Sequence, residues 1–106
     1  MKMTQNKLRK DGMVAVLYSP GFGAGWHTWN GDYPDMVFDA EIAAAVLEND
    51  RAKAEQIAAS KYPGACLLGA TDLEVEWVKE GSAFEITEYD GSETVHVIGE
   101  HSYLIA

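Results

Sequence analysis

The sequence predicts an α+β domain in which a mostly antiparallel sheet of four or five strands packs on a two-helix hairpin. Three observations support this class. The continuous apolar run MVAVLYS, residues 13–19, is typical of a buried strand. Two helical stretches, each preceded by an aspartate, follow between residues 39 and 62. Beyond residue 72, apolar and polar side chains alternate, as in antiparallel strands with one solvated face.

The first twelve residues, MKMTQNKLRKDG, differ in character from the rest. They carry four basic residues and one acidic residue and have no apolar periodicity. We therefore expect residues 1–12 to be a basic flexible tail and residues 13–106 to form a single compact domain. A chain of 106 residues is long enough for one modest core.

Two helices are predicted in the middle of the chain. Asp39 is a suitable N-cap for AEIAAAVLEN, because its short carboxylate can accept hydrogen bonds from first-turn amides. Asp50 plays the same part for RAKAEQIAASKY, and Pro63-Gly64 ends that helix. The alanines of both helices allow close packing on a sheet.

Three or four strands are predicted after the helices. LEVEWVKEG places Leu73, Val75 and Trp77 on one face of a strand. AFEITEYDGSETVHVIG, residues 83–99 and hereafter the C-terminal hairpin, contains two alternating runs around Asp90-Gly91, a pair favoured in tight turns with positive φ. HSYLIA is a candidate for a last edge strand.

The charge distribution indicates which partners are suitable. The net charge is −9, and residues 13–106 hold four basic and sixteen acidic residues. Such a body repels nucleic acid and suits a basic protein surface. Residues 72–93 hold eight acids and one lysine, and we expect four of them to project from one side: Glu74, Glu76, Glu85 and Glu88. This row is either a binding surface or an ordinary solvated face.

No apolar run approaches the length of a membrane span, and the single Cys66 cannot form an internal disulfide. We therefore expect a cytoplasmic protein without membrane association. Cys66, beside two leucines, is expected to be a small buried hydrophobe.

The most distinctive segment is SPGFGAGWHTWN, which opens what we call the glycine–tryptophan loop, residues 19–35. It lacks the lysine of a phosphate-binding P-loop and the glycine spacing of a dinucleotide fingerprint. Alternating glycines still allow amides to point into one concavity that suits an anion. Tryptophans spaced i to i+3 can place one indole inward and one outward, so they either anchor a partner or cover the core. The candidate binding residues are Gly21, Gly23, Gly25, Trp26, His27, Trp29 and Asn30.

Catalytic and metal sites are not predicted. His27 has no second histidine or cysteine at ligand spacing, and no nucleophile with a base is readable. We expect no enzyme activity, no metal and no cofactor.

Taken together, VLYSPGFGAGWHTWN, VFDAEI and WVKEGSAFEITEYDGSE resemble a family of small uncharacterised proteins from tailed bacteriophages. The resemblance covers residues 13–95 and rests on the SPGFGAGW-x-TWN loop and the EYDGSE hairpin. It implies no activity. It implies a setting inside a bacterium, where such proteins bind host factors, including parts of antiviral defence.

The expected function is therefore that of a small acidic phage accessory protein that binds and neutralises a host protein with a basic surface. The glycine–tryptophan loop and the acidic residues of the C-terminal hairpin would form the contact. The alternative is a binding protein for a nucleotide or another small phosphorylated ligand, held by the glycine amides. A homo-oligomer is compatible with both readings.

Overall fold

The computed structural model describes residues 7–98 and 104–106. It confirms the α+β class, with two helices and two three-stranded antiparallel sheets. In chain order the elements are β1 (Arg9–Lys10), β2 (Met13–Tyr18), a first 3₁₀ helix (Pro34–Phe38), α1 (Ala40–Leu47), α2 (Arg51–Lys61), a second 3₁₀ helix (Leu68–Asp72), β3 (Glu74–Lys79), β4 (Ala83–Tyr89), β5 (Ser92–Ile98) and β6 (Leu104–Ile105).

The prediction of one sheet with four or five strands is wrong in its strand arrangement. The first sheet has the order β1-β2-β3 and the second has the order β5-β4-β6. The reason lies in β2, which is buried on both faces. Ala15 and Leu17 pack with the helices, whereas Val14 and Val16 pack with Phe84 of the second sheet. The first sheet is therefore a middle layer between helices and second sheet.

The segment predicted as a basic tail takes part in this fold. Arg9 and Lys10 form β1 and pair with Val14 and Met13. The carbonyl of Leu8 accepts a hydrogen bond from the Ala15 amide at 2.9 Å, and its side chain packs on the core. The fold thus includes residues N-terminal to the predicted boundary at 13, while residues 1–6 of the predicted tail lie outside the described residues.

The predicted N-termini of both helices are confirmed. The carboxylate of Asp39 accepts from the Ile42 amide at 3.0 Å, and that of Asp50 accepts from the Lys53 amide at 3.1 Å. Ala54 and Ala58 of α2 are fully buried, which lets the helices pack closely.

The C-terminal hairpin is confirmed in register. Phe84 lies opposite Val97 and Ile86 opposite Val95, around a turn in which Asp90 and Gly91 both have positive φ. β6 confirms part of the predicted last strand, whose residues 101–103 lie outside the described residues.

We predict that Leu8→Ala lowers the free energy of unfolding by about 1–2 kcal/mol, because a half-buried side chain loses its apolar contacts. Urea denaturation measures the change, with exposed Lys10→Ala as the matched control. Equal stability of Leu8→Ala and wild type would favour the tail interpretation.

Candidate functional site

The glycine–tryptophan loop is folded around a buried carboxylate from the C-terminal hairpin. Glu93 of β5 is 2% exposed. Its side chain accepts hydrogen bonds from the amides of Ser19 at 2.9 Å, Trp26 at 2.9 Å and Thr28 at 2.8 Å, and from the Thr28 hydroxyl at 2.7 Å. These four donors compensate the cost of removing an ionised carboxylate from water. The two most distinctive segments of the sequence therefore form one structural unit.

Further hydrogen bonds fasten the loop to the hairpin turn. The Gly23 amide donates to the Asp90 carbonyl at 2.7 Å, and the Glu93 amide donates to the Ser19 carbonyl at 2.8 Å. The Ser92 hydroxyl donates to the carbonyl of Pro20 at 2.6 Å. The loop and the turn are thus joined along their length.

The predicted glycines allow this close approach. A Cβ at Gly25 would overlap the Thr28 hydroxyl and lie 3.1 Å from the Glu93 carboxylate, so no larger residue fits beside the buried anion. Gly23 has a φ of +102°, which favours glycine. A Cβ at Gly21 would overlap the carboxylate of Asp72.

The anion-binding concavity predicted for the loop exists, but its donors and its occupant were not foreseen. The amides of Ser19, Trp26 and Thr28 form it, and the chain's own Glu93 occupies it. A signal for this was present, because the alternation of β5 places Glu93 on the same inward face as Val95. A carboxylate at an inward strand position indicates a buried, hydrogen-bonded group.

Two candidate contact residues are corrected, because both lie in the interior. Trp26 is fully buried, and its indole N–H donates to the Met36 carbonyl at 2.8 Å. Asn30 is 5% exposed; its amide group donates to the carbonyls of Trp26 and Cys66 and accepts from the Cys66 amide. They hold the loop together and do not form its outer surface.

Trp29 is the outward indole of the pair, as the i to i+3 spacing allows. Its side chain is 43% exposed. The indole N–H donates to one oxygen of Glu88 at 3.2 Å, and the Gly91 amide donates to the same oxygen at 2.7 Å. An exposed aromatic ring and an exposed carboxylate are thereby held side by side.

His27 lies in the chain between the buried Trp26 and the exposed Trp29. It is half-buried, and its Nδ1 is buried without a hydrogen-bond partner in the described part of the chain. Burial lowers the pKa of His27, and the negative charge of Glu93 offsets part of that effect. The imidazole is therefore neutral at pH 7.

The four predicted surface acids do not form one row. Glu74 and Glu76 lie on β3 in the first sheet, where Glu74 pairs with Arg51 at 3.1 Å. Glu85 and Glu88 are three residues apart on β4, so their side chains leave opposite faces of the second sheet. Of these four acids, only Glu88 forms a hydrogen bond to the glycine–tryptophan loop within the described residues.

Two exposed aromatic residues were missed. Phe22 is 70% exposed and Tyr89 is 79% exposed. They flank the Gly23–Asp90 hydrogen bond, close in sequence to it on either side. We call the set Phe22, Trp29, Glu88 and Asp90 the aromatic–acidic surface. Tyr89 follows Glu88 on β4, so its side chain leaves the opposite face of the hairpin. The predicted hairpin turn was a signal for this exposure, because apolar side chains beside a tight turn lie at the end of the sheet, away from the core.

Within residues 7–98 and 104–106, no group of three or more histidine, cysteine or acidic side chains is arranged to hold a metal ion. None of the helices over the same residues is both long enough and apolar enough to cross a bilayer.

We predict that Glu93→Gln lowers the free energy of unfolding by about 2–4 kcal/mol, because an amide NH₂ would face N–H donors that need an acceptor. Urea denaturation followed by tryptophan fluorescence measures it. Glu85→Gln, which removes the same charge from the other face of the hairpin, is the matched control. Equal effects of the two substitutions would contradict the structural role of Glu93.

We also predict that His27 makes stability fall in mild acid. Its folded pKa lies below the ordinary value of 6.5, so the unfolded chain binds the proton more readily. His27 therefore leaves the free energy of unfolding unchanged above pH 6.5 and lowers it as the pH falls below that value. Thermal unfolding between about pH 5 and pH 7.5 should show a flatter profile for His27→Gln than for wild type. Parallel profiles of His27→Gln and wild type would contradict this role of His27.

Comparison of the chain with protein-family models, with curated proteins and with solved structures found no match.

Proposed function

We propose that this protein is a small acidic accessory protein of a tailed bacteriophage that binds and neutralises a host protein, without catalysis. The contact is the aromatic–acidic surface, and the partner presents a basic surface to it. The observation that carries the proposal is the exposure of two aromatic rings, Phe22 and Trp29, on a backbone fastened by Glu93.

Exposed aromatic residues at fixed positions are suitable anchors for a protein partner. Aromatic side chains contribute strongly to binding hot spots. Anchoring the backbone in advance reduces the entropy that would otherwise be lost on association. The hydrogen bonds from Gly23 to Asp90 and from Trp29 to Glu88 supply this anchoring at the surface itself.

Charge supports a basic partner. The glycine–tryptophan loop and the C-terminal hairpin contain no lysine or arginine. All five ion pairs of the described residues lie elsewhere, on Glu41, Glu48, Asp39, Glu74 and Glu80. The carboxylates of the aromatic–acidic surface therefore keep their charge available for a partner, and complementary charge accelerates association.

The phage setting rests on the resemblance of the loop and hairpin motifs, and a component of antiviral defence is the kind of host factor it suggests. The nucleotide alternative is less well supported. The amides of the loop that converge on one point already bind Glu93, and the Gly23 amide donates to the Asp90 carbonyl. The carboxylate of Glu88 also lies against the loop, where it would repel a phosphate.

The proposal predicts that immobilised wild-type protein captures a basic protein from bacterial lysate and that Trp29→Ala loses it. Raising the salt from ~0.05 to ~0.5 M should release the captured protein, because screening weakens charge-steered contacts. Leu47→Ala, which removes another exposed apolar side chain on α1, is the matched control and should capture normally. Purified partner and wild type should then bind directly, and the partner's activity should fall.

A captured protein that Trp29→Ala also retains would contradict the proposed surface. A co-eluting phosphorylated metabolite without any protein would favour the nucleotide alternative.

A further inference from the structure

We infer that Trp29 and Glu88 form a receptor for one arginine side chain of the protein partner. This inference deepens the proposed function and rests on it for the identity of the contact surface. It specifies the chemistry of the partner at one point, a guanidinium group stacked on an indole and paired with a carboxylate.

The geometry of the pair supports this assignment. The Glu88 oxygen that faces the protein accepts from the Trp29 indole N–H at 3.2 Å and from the Gly91 amide at 2.7 Å. Both bonds reach the same oxygen, so the other carboxylate oxygen makes no hydrogen bond within the described residues. The carboxylate is oriented, but it retains acceptor capacity on its exposed side.

The indole ring of Trp29 forms the second part of the receptor, beside the Glu88 carboxylate. Trp29 is 43% exposed, and its ring edge is fixed by the bond to Glu88 and by close packing on Gly25, where a Cβ would lie 2.9 Å from Trp29 Cδ1. A cation is attracted to the face of an aromatic ring, and most strongly to that of an indole. A ring and a carboxylate in contact can therefore bind one cation together.

The segments that surround this pair in the sequence carry no basic residue. Residues 11–50 and 80–106 contain no lysine or arginine. Among the described residues, Arg9 and Arg51 are engaged with Glu80 and Glu74. No ion pair of the described residues involves Glu88, so the pair is open to a cation from another molecule.

Arginine fits this pair better than lysine. A guanidinium is planar, so it can lie on the indole while its edge donates to the carboxylate. An ammonium is a compact, strongly hydrated charge that gains less from a flat ring. Discrimination between two peptides of equal charge therefore distinguishes a receptor from general attraction.

The test uses hexa-arginine and hexalysine peptides, with binding followed through the indole N–H resonance of Trp29 in ¹⁵N spectra. We expect hexa-arginine to bind about tenfold more tightly than hexalysine and to shift this resonance.

Glu88→Gln keeps an oxygen for Trp29 and Gly91 but removes the charge, and should lower hexa-arginine affinity about tenfold. Glu85→Gln removes one charge from the opposite face and should lower it by less than about twofold. An unchanged Trp26 indole resonance confirms the fold of each variant.

Equal affinities for the two peptides, or equal effects of Glu88→Gln and Glu85→Gln, would overturn the receptor. Either result leaves the proposed function intact if lysate capture still depends on Trp29. Arginine selectivity that is lost in Glu88→Gln supports the receptor, even if no lysate protein is captured and the proposed function fails.

Discussion

The interaction on which the rest of this structure depends is the set of hydrogen bonds to the Glu93 carboxylate. A buried anion is costly unless several donors meet it. Here three amides and one hydroxyl do so, and they come from both ends of a short segment between Ser19 and Thr28. Because the amides of Trp26 and Thr28 point at the same carboxylate, the chain between them is fixed. That direction of the backbone sends the Trp26 ring into the core and leaves Trp29 outside.

The same interaction determines what the loop can offer to other molecules. A loop with several free amides would attract phosphate, as helix N-termini and backbone nests do. In this loop the converging amides are already satisfied by a carboxylate from the same chain. What remains outside is aromatic carbon and the acidic groups of the hairpin turn, such as Glu88. The chemistry of the outer surface is thus a consequence of how the inner side is satisfied.

Local features were predictable from the sequence, and long-range ones were not. The caps at Asp39 and Asp50 and the register of the C-terminal hairpin each depend on residues close in the chain. The two-sheet arrangement was missed because a continuous apolar run such as β2 is compatible with burial on either face or on both. β1 was missed because its two charged residues carry no strand signal, and only pairing with β2 makes it a strand. The contact of Glu93 with Ser19 joins residues 74 positions apart, so neither segment alone indicates it.

A second buried carboxylate shows why it matters that no lysine or arginine of the described residues pairs with Glu93. Asp39 is equally inaccessible, but it accepts from the Lys61 ammonium at 3.1 Å and from the Tyr62 hydroxyl at 2.6 Å. Burial and the hydrogen bond to Asp39 raise the pKa of Tyr62, which stays protonated as a donor. Glu93 is held by neutral donors, and burial keeps its neighbour His27 neutral as well. Among the described residues its charge is therefore compensated by dipoles and not cancelled by a cation, so its field adds to that of Glu88 and Asp90. The carboxylate that holds the loop in place also favours a cationic partner at its surface.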